Sequence, residues 1–116
     1  MRISKTFTFE AAHHLPNVHE GHQCARVHGH SYVVDVEVAG PIDPHAGWVI
    51  DYGDISAAWK LAGAHLDHRD LNTILDNPTA ENLAGMLWLD LEDMLGDLLA
   101  AVVVHETAST WARMER

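Results

Sequence analysis

Two stretches of strict alternation constrain the fold of this chain more than any other feature. Between Ile3 and Ala11, the residues Ile3, Phe7, Phe9 and Ala11 share one parity, and Ser4, Thr6, Thr8 and Glu10 share the other. Lys5 is the one exception on the apolar side. From His28 to Ala39 the pattern recurs: His28, His30, Tyr32, Val34, Val36 and Val38 stand against Gly29, Ser31, Asp35 and Glu37, and Gly40-Pro41 closes the run. A period of two fits a pleated strand with one buried face and fits no helix. The chain therefore has to build a sheet early and then cover one side of it.

The cover comes next in sequence. Ile55, Ala58, Trp59, Ala62 and Leu66 recur at steps of three and four, the spacing of an amphipathic helix, with Asp54 placed as its N-cap. Pro78-Thr79 begins a second helix with the stripe Leu83, Met86, Leu87, Leu91, Met94, Leu95 and Leu98, while Glu81, Asp90, Glu92, Asp93 and Asp97 form an acidic outer face. The β-branched run Val102-Val103-Val104 reads as a third strand, and Thr110 to Met114 pairs back as a fourth after a turn at Thr107-Ala108-Ser109. The predicted class is α+β: a four-stranded antiparallel sheet in the order ββααββ with two helices on one face. The other face and both edges of such a sheet need partners, and self-association is the natural remedy.

Composition sets the outer bounds. With 116 residues, 47% hydrophobic and 21% charged, the chain is expected to form a single globular domain over 1–116. Seventeen acidic residues against seven Lys and Arg leave a formal charge of -10, which disfavours nucleic acid or an anionic membrane surface as partner. The N-terminus lacks the apolar core of a signal peptide, and the longest apolar run, Leu98 to Val104, falls far short of the roughly 20 residues that span a bilayer. One cysteine cannot close an internal disulfide, so a cytoplasmic location is expected. Ten histidines beside that lone cysteine are out of proportion and point to metal ligation or proton transfer.

Position sorts the histidines. His28 and His30 flank one glycine on a strand, so their imidazoles leave the same face with Cα atoms roughly 6.6 Å apart and can meet on one ion. A catalytic zinc takes three protein ligands and keeps a fourth position open. His13, on the parity of Phe7 and Phe9, is the best-placed third ligand if the first two strands pair, and Gly29 would admit a closely approaching ligand or backbone. His14 has the opposite parity, and His19, His22, His45 and His65 fall in loop or helix-end positions where a solvated histidine is the ordinary outcome. Cys24, four residues before His28, reaches the space above the ion either as a further ligand or as a thiolate acid/base beside Arg26. Asp67-His68 offers an imidazole oriented by a carboxylate, in a segment that alone reads as a solvated loop. Glu106 ends the apolar third strand, where a carboxylate needs donors. A salt bridge would satisfy it, and so would a ligand with two parallel N–H groups, such as an aminopyrimidinone ring.

In order along the chain stand Phe7-Thr8-Phe9-Glu10-Ala11-Ala12-His13, Cys24-Ala25-Arg26-Val27-His28-Gly29-His30, Leu66-Asp67-His68, Pro78-Thr79-Ala80-Glu81-Asn82 and Glu106-Thr107. Together they resemble the 6-pyruvoyltetrahydropterin synthase family over nearly the whole chain. The three residues between Cys24 and His28, with Glu20-Gly21-His22-Gln23-Cys24 and Gly47-Trp48-Val49-Ile50-Asp51-Tyr52, look like its bacterial 6-carboxy-5,6,7,8-tetrahydropterin synthase branch, which serves queuosine biosynthesis. The resemblance implies His13, His28 and His30 as ligands of one zinc per subunit, with Cys24, Asp67 and His68 as catalytic groups. It implies Glu106 as a catalytic and pterin-anchoring carboxylate, with Thr107 and Arg26 beside the substrate. The implied reaction is that of a lyase: 7,8-dihydroneopterin triphosphate becomes 6-carboxytetrahydropterin with loss of acetaldehyde and triphosphate. The implied architecture is a two-helix, four-stranded tunnelling-fold unit that joins through its sheets into a barrel, as a tetramer or hexamer. A pyruvoyl-forming synthase that only eliminates triphosphate, and a zinc- or pterin-binding module without turnover, are the competing outcomes. A charge of -10 sits awkwardly with a triphosphate substrate, for which Lys5, Arg26, Arg69 and Arg113 are the candidate cations.

Overall fold

In a computed structural model describing residues 1–116, the two alternating stretches become the paired centre of a sheet. Strand β1 runs Arg2–His13 and β2 runs His28–Ala39, antiparallel along their length, so that Phe7 faces Val34, Phe9 faces Tyr32 and His13 faces His28. The inward parity is the one read from sequence. Phe9 stacks on Tyr32 with ring centroids 4.8 Å apart, and Phe7 stacks on Trp59 at 4.9 Å. Lys5 tolerates its inward position because its ammonium lies near the Phe7 ring and hydrogen-bonds Ser56.

Helix α1 spans Tyr52–Ala62. Its N-cap is Asp51, whose side chain accepts the Gly53 N–H at 2.8 Å, and the expected Asp54 lies inside the first turn. Asp51 has the extended backbone that a cap requires, which sequence alone does not record. Helix α2 spans Ala80–Leu95 and starts as predicted, with Thr79 Oγ1 accepting the Asn82 N–H at 3.1 Å. Leu83, Leu87, Leu91 and Leu95 are buried as expected. Trp88 takes a further buried place, while Met94, on the same stripe in the last turn, is exposed.

Strand β3, Arg69–Asp70, lies between the helices in sequence and pairs in parallel with Ala11 and Ala12. Strands β4, Leu99–Thr107, and β5, Thr110–Glu115, complete a five-stranded, mostly antiparallel sheet in the order β3-β1-β2-β4-β5. The expected four strands in the order ββααββ are thus corrected to five in the order ββαβαββ. Arg69 and Asp70 are both exposed, so this strand exists through backbone pairing and leaves no apolar alternation to read. The core of 21 buried residues lies between the helices and the inward faces of β1, β2 and β4. The opposite face is polar. There Thr6 and His105 flank Asp35 at 2.5 and 2.9 Å, and Arg2 and Arg113 converge on Glu37. The Arg113 guanidinium, helped by Arg2, holds the Glu37 carboxyl below its usual range against the opposing effect of burial. No helix is long and apolar enough to cross a membrane.

Candidate metal centre and active site

The register of β1 on β2 sets His13 directly opposite His28, and His30 projects from the same face two residues on. His13 is fully buried, and the other two are half-buried. The Pro78 carbonyl lies 2.7 Å from His13 Nδ1, and the Arg26 carbonyl lies 2.7 Å from His28 Nδ1. A carbonyl only accepts, so each Nδ1 carries the proton and each Nε2 is left bare. The two bare Nε2 atoms face one another 3.0 Å apart. Facing lone pairs repel unless a cation lies between them, and two nitrogens bound to one tetrahedral zinc would stand about 3.3 Å apart.

His30 Nε2 is buried without a hydrogen-bond partner, and it lies 3.1 Å from Glu106 Oε1. The same carboxylate oxygen lies 3.8 Å from His13 Nε2. Donor atoms of His13, His28, His30 and Glu106 all fall within 4.8 Å of one another, so the cluster could hold a metal ion. An orphaned buried nitrogen, facing lone pairs and an N/O donor set together fit a divalent cation. Burial pushes the His30 imidazole below its ordinary value, with His13 and His28 acting the same way and Glu106 opposing, which favours the neutral, ligating ring. Burial, reinforced by Glu106, pushes the neighbouring Tyr32 phenol up and keeps it protonated.

Cys24 sits in a 3-10 turn, Gln23–Ala25, where its carbonyl accepts the Leu15 N–H at 2.8 Å. With Gln23, His28, His30, Glu106, Thr107 and Thr110 it lines a cavity of about 440 Å³. Its sulfur is not among the converging donors, so Cys24 overlooks the cluster without joining it. His22, grouped above with the solvated histidines, accepts the Cys24 N–H on Nδ1 at 3.0 Å and so shapes that turn. The cleft continues past Glu106 and Thr110 toward Ala80, Glu81 and Trp111. Glu81, assigned from sequence to the outer face of α2, therefore borders the cleft, because it occupies the first helical turn facing β5.

Asp67 and His68 lie elsewhere. Asp67 Oδ1 accepts the Glu10 N–H at 2.9 Å, and Oδ2 is 3.0 Å from His68 Nδ1. The Glu10 N–H, then His68, hold the Asp67 carboxyl below its usual range. His68 has a left-handed backbone, φ 57°, and both side chains are exposed. His68 borders a cavity that it lines together with Glu10, Ala12, Gly29, His30, Ser31 and Arg69. Within one chain the structure therefore does not bring His68 and Cys24 to a common cavity. His30 alone borders both. Gly29 is not required by the β1–β2 pairing, since an added Cβ would meet Ala11 O at an ordinary 3.5 Å. Of the four candidate cations, Lys5 is engaged by Ser56 and Arg113 by Glu37 and Glu115. Arg26 lines a recess beside the Cys24 turn, and Arg69 borders the His68 cavity.

Residues 2–116 match the sequence model of the family described as 6-pyruvoyl tetrahydropterin synthase. The chain belongs to that family. Within the 6-pyruvoyl tetrahydropterin synthase family it is similar to the 6-carboxy-5,6,7,8-tetrahydropterin synthase of Synechocystis sp., 40% identical over 118 residues that cover 96% of this chain and 90% of the relative. It is also similar to the dihydroneopterin monophosphate aldolase of Pyrococcus furiosus, 38% identical over 88 residues, covering 76% of this chain and 70% of the relative. The solved 6-pyruvoyl tetrahydropterin synthase of Caenorhabditis elegans shares the fold with a TM-score of 0.90 at 24% identity, over 100% of this chain and 95% of that one.

Proposed function

We propose that this chain is a zinc-dependent 6-carboxytetrahydropterin synthase, converting 7,8-dihydroneopterin triphosphate to 6-carboxy-5,6,7,8-tetrahydropterin with release of acetaldehyde and triphosphate, a step toward 7-deazapurines such as queuosine. The observation that carries it is the placement of Cys24 in one cavity with His28, His30 and Glu106, outside the donor cluster but overlooking it. Support also comes from the name of the Synechocystis relative and from the three-residue gap between Cys24 and His28. His13, His28 and His30 would hold the zinc, which when bound supplies Lewis-acid polarisation of substrate side-chain oxygens and acidifies the adjacent C–H bonds.

The chain's own residues divide the remaining work. The Glu106 carboxylate accepts the paired N–H groups of the pterin ring, with Thr107 at the rim. Cys24 exchanges protons with the substrate side chain. Asp67 takes the His68 Nδ1–H, which fixes the tautomer and leaves Nε2 free for proton transfer. Because His68 borders a different cavity, the pair serves the Cys24 cavity of a neighbouring subunit in a homo-oligomer, a tetramer or hexamer assembled through the sheets. Arg26 and Arg69, the two candidate cations that no other side chain engages, attend the triphosphate.

Anaerobic incubation of zinc-replete protein with the triphosphate substrate tests the assignment. Acetaldehyde and the carboxypterin are expected in equal amounts. A pyruvoyl product without acetaldehyde would make it a pyruvoyl-forming synthase, and aldol cleavage of the monophosphate would align it with the activity named for the Pyrococcus relative. No turnover with one zinc bound would leave a binding module.

A further inference from the structure

The segment after α1 does more than present Asp67 and His68, because it is zipped onto the end of β1 residue by residue. The His68 N–H donates to Glu10 O at 2.6 Å, and Asp67 Oδ1 receives the Glu10 N–H at 2.9 Å. Arg69 and Asp70 then pair with Ala11 and Ala12. There the backbone departs into the 3-10 turn Leu71–Thr73, with the Asp70 side chain accepting the Asn72 N–H at 3.0 Å. One more rung follows, and a side chain makes it. Asn72 Oδ1 accepts the His14 N–H at 2.9 Å, and Asn72 Nδ2 donates to the His14 carbonyl at 3.0 Å. A carboxamide offers a donor and an acceptor in one plane, as a peptide group does, so Asn72 replaces the strand residue that the turn has removed.

The residue it grips occupies a junction. His14 follows His13, the fully buried member of the donor cluster, and the β1–β2 ladder ends at the His13–His28 pair. It precedes Leu15, whose N–H is bonded to the Cys24 carbonyl. We propose that Asn72 is a positioning residue that helps fix the placement of the Cys24 thiol relative to the metal centre by holding the backbone of His14, which joins His13 to Leu15, the residue bonded to the Cys24 carbonyl. The inference rests on the metal centre proposed above but not on the reaction assigned to it.

The test uses full-length protein loaded with Co(II), comparing Asn72→Leu, the milder Asn72→Asp and a control, Thr73→Val, which removes a different hydrogen bond from the same turn, Thr73 Oγ1 to Asp70 O at 2.7 Å. Visible Co(II) bands report the metal geometry, and iodoacetamide alkylation reports the environment of the single cysteine. Both Asn72 variants are expected to shift the bands and to accelerate alkylation roughly threefold to tenfold, the effect of losing one or two hydrogen bonds that hold a local structure closed. Thr73→Val is expected to leave both readouts at the parent values. Parent-like behaviour of Asn72→Asp, which is expected to fold even if Asn72→Leu does not, would overturn the proposal. Equal changes in Thr73→Val would overturn it too, by assigning the effect to the turn as a whole. Asn72-dependent shifts in a parent that turns over no pterin would sink the proposed reaction and leave this inference standing.

Discussion

Cys24 and the imidazoles below it are separable by substitution, because the sulfur stands outside the set of converging donor atoms. Cys24→Ala is expected to retain one metal per chain by elemental analysis while turnover falls roughly 10²- to 10⁴-fold, the usual worth of a positioned proton-transfer group. Loss of metal in that variant would make Cys24 a ligand. His13→Ala should behave in the opposite way. It removes a buried donor and strands the Pro78 carbonyl, so metal content should drop together with roughly 2–4 kcal/mol of stability, read from denaturant melts. Glu37 supplies the pH-dependent case. Its folded-state value lies below the ordinary 4.5, so its pairs with Arg113 and Arg2 contribute stability that is fully present above pH 4.5 and is lost as pH falls through the depressed value. Glu37→Gln is expected to cost roughly 1–3 kcal/mol at pH 7 and to converge with the parent in acid, measured as urea midpoints across pH. A gap that persists in acid would assign the cost to packing.

At the scale of elements, the C-terminal end of β1 is where the site is made: one strand end meets β2, β3, the Cys24 turn and the start of α2. Thr79→Ala should therefore do more than remove a helix cap worth about 1 kcal/mol. It frees the residue beside Pro78, the carbonyl partner of His13, so a weaker metal affinity in chelator competition is expected alongside the lower melting point. The long strands and both helices were legible because burial writes its period into side chains, and His13, His28 and His30 followed once parity and pairing were combined. Strand β3 was not legible, since Arg69 and Asp70 contribute backbone alone. Nor was the face on which His68 emerges, because a loop segment takes its orientation from that same unmarked pairing. The choice of Asp51 over Asp54 as cap, the lean of Glu106 onto His30 and the hold of Asn72 on His14 all depend on backbone direction or on distant contacts, and neighbouring letters encode neither.

At the scale of the whole molecule, the helices cover one face of the sheet, while the other carries the ion pairs around Asp35 and Glu37 and the exposed Asp67–His68 pair. Most of the outer edge of β1 and that of β5 are left without a strand neighbour. Cys24 and His68 face separate cavities, so a chain with every catalytic group intact is, in the proposed scheme, half of an active site twice over. Cys24→Ala and His68→Ala proteins should each be inactive alone. Unfolded together in equal amounts and refolded, they should regain about a quarter of parental activity, because a random closed assembly pairs an intact thiol with an intact neighbouring imidazole that often. A mixture that stays dead would place both groups in one subunit. The same separation has a genetic face: two null alleles, one at each position, would complement in a cell expressing both, although neither encodes a working enzyme.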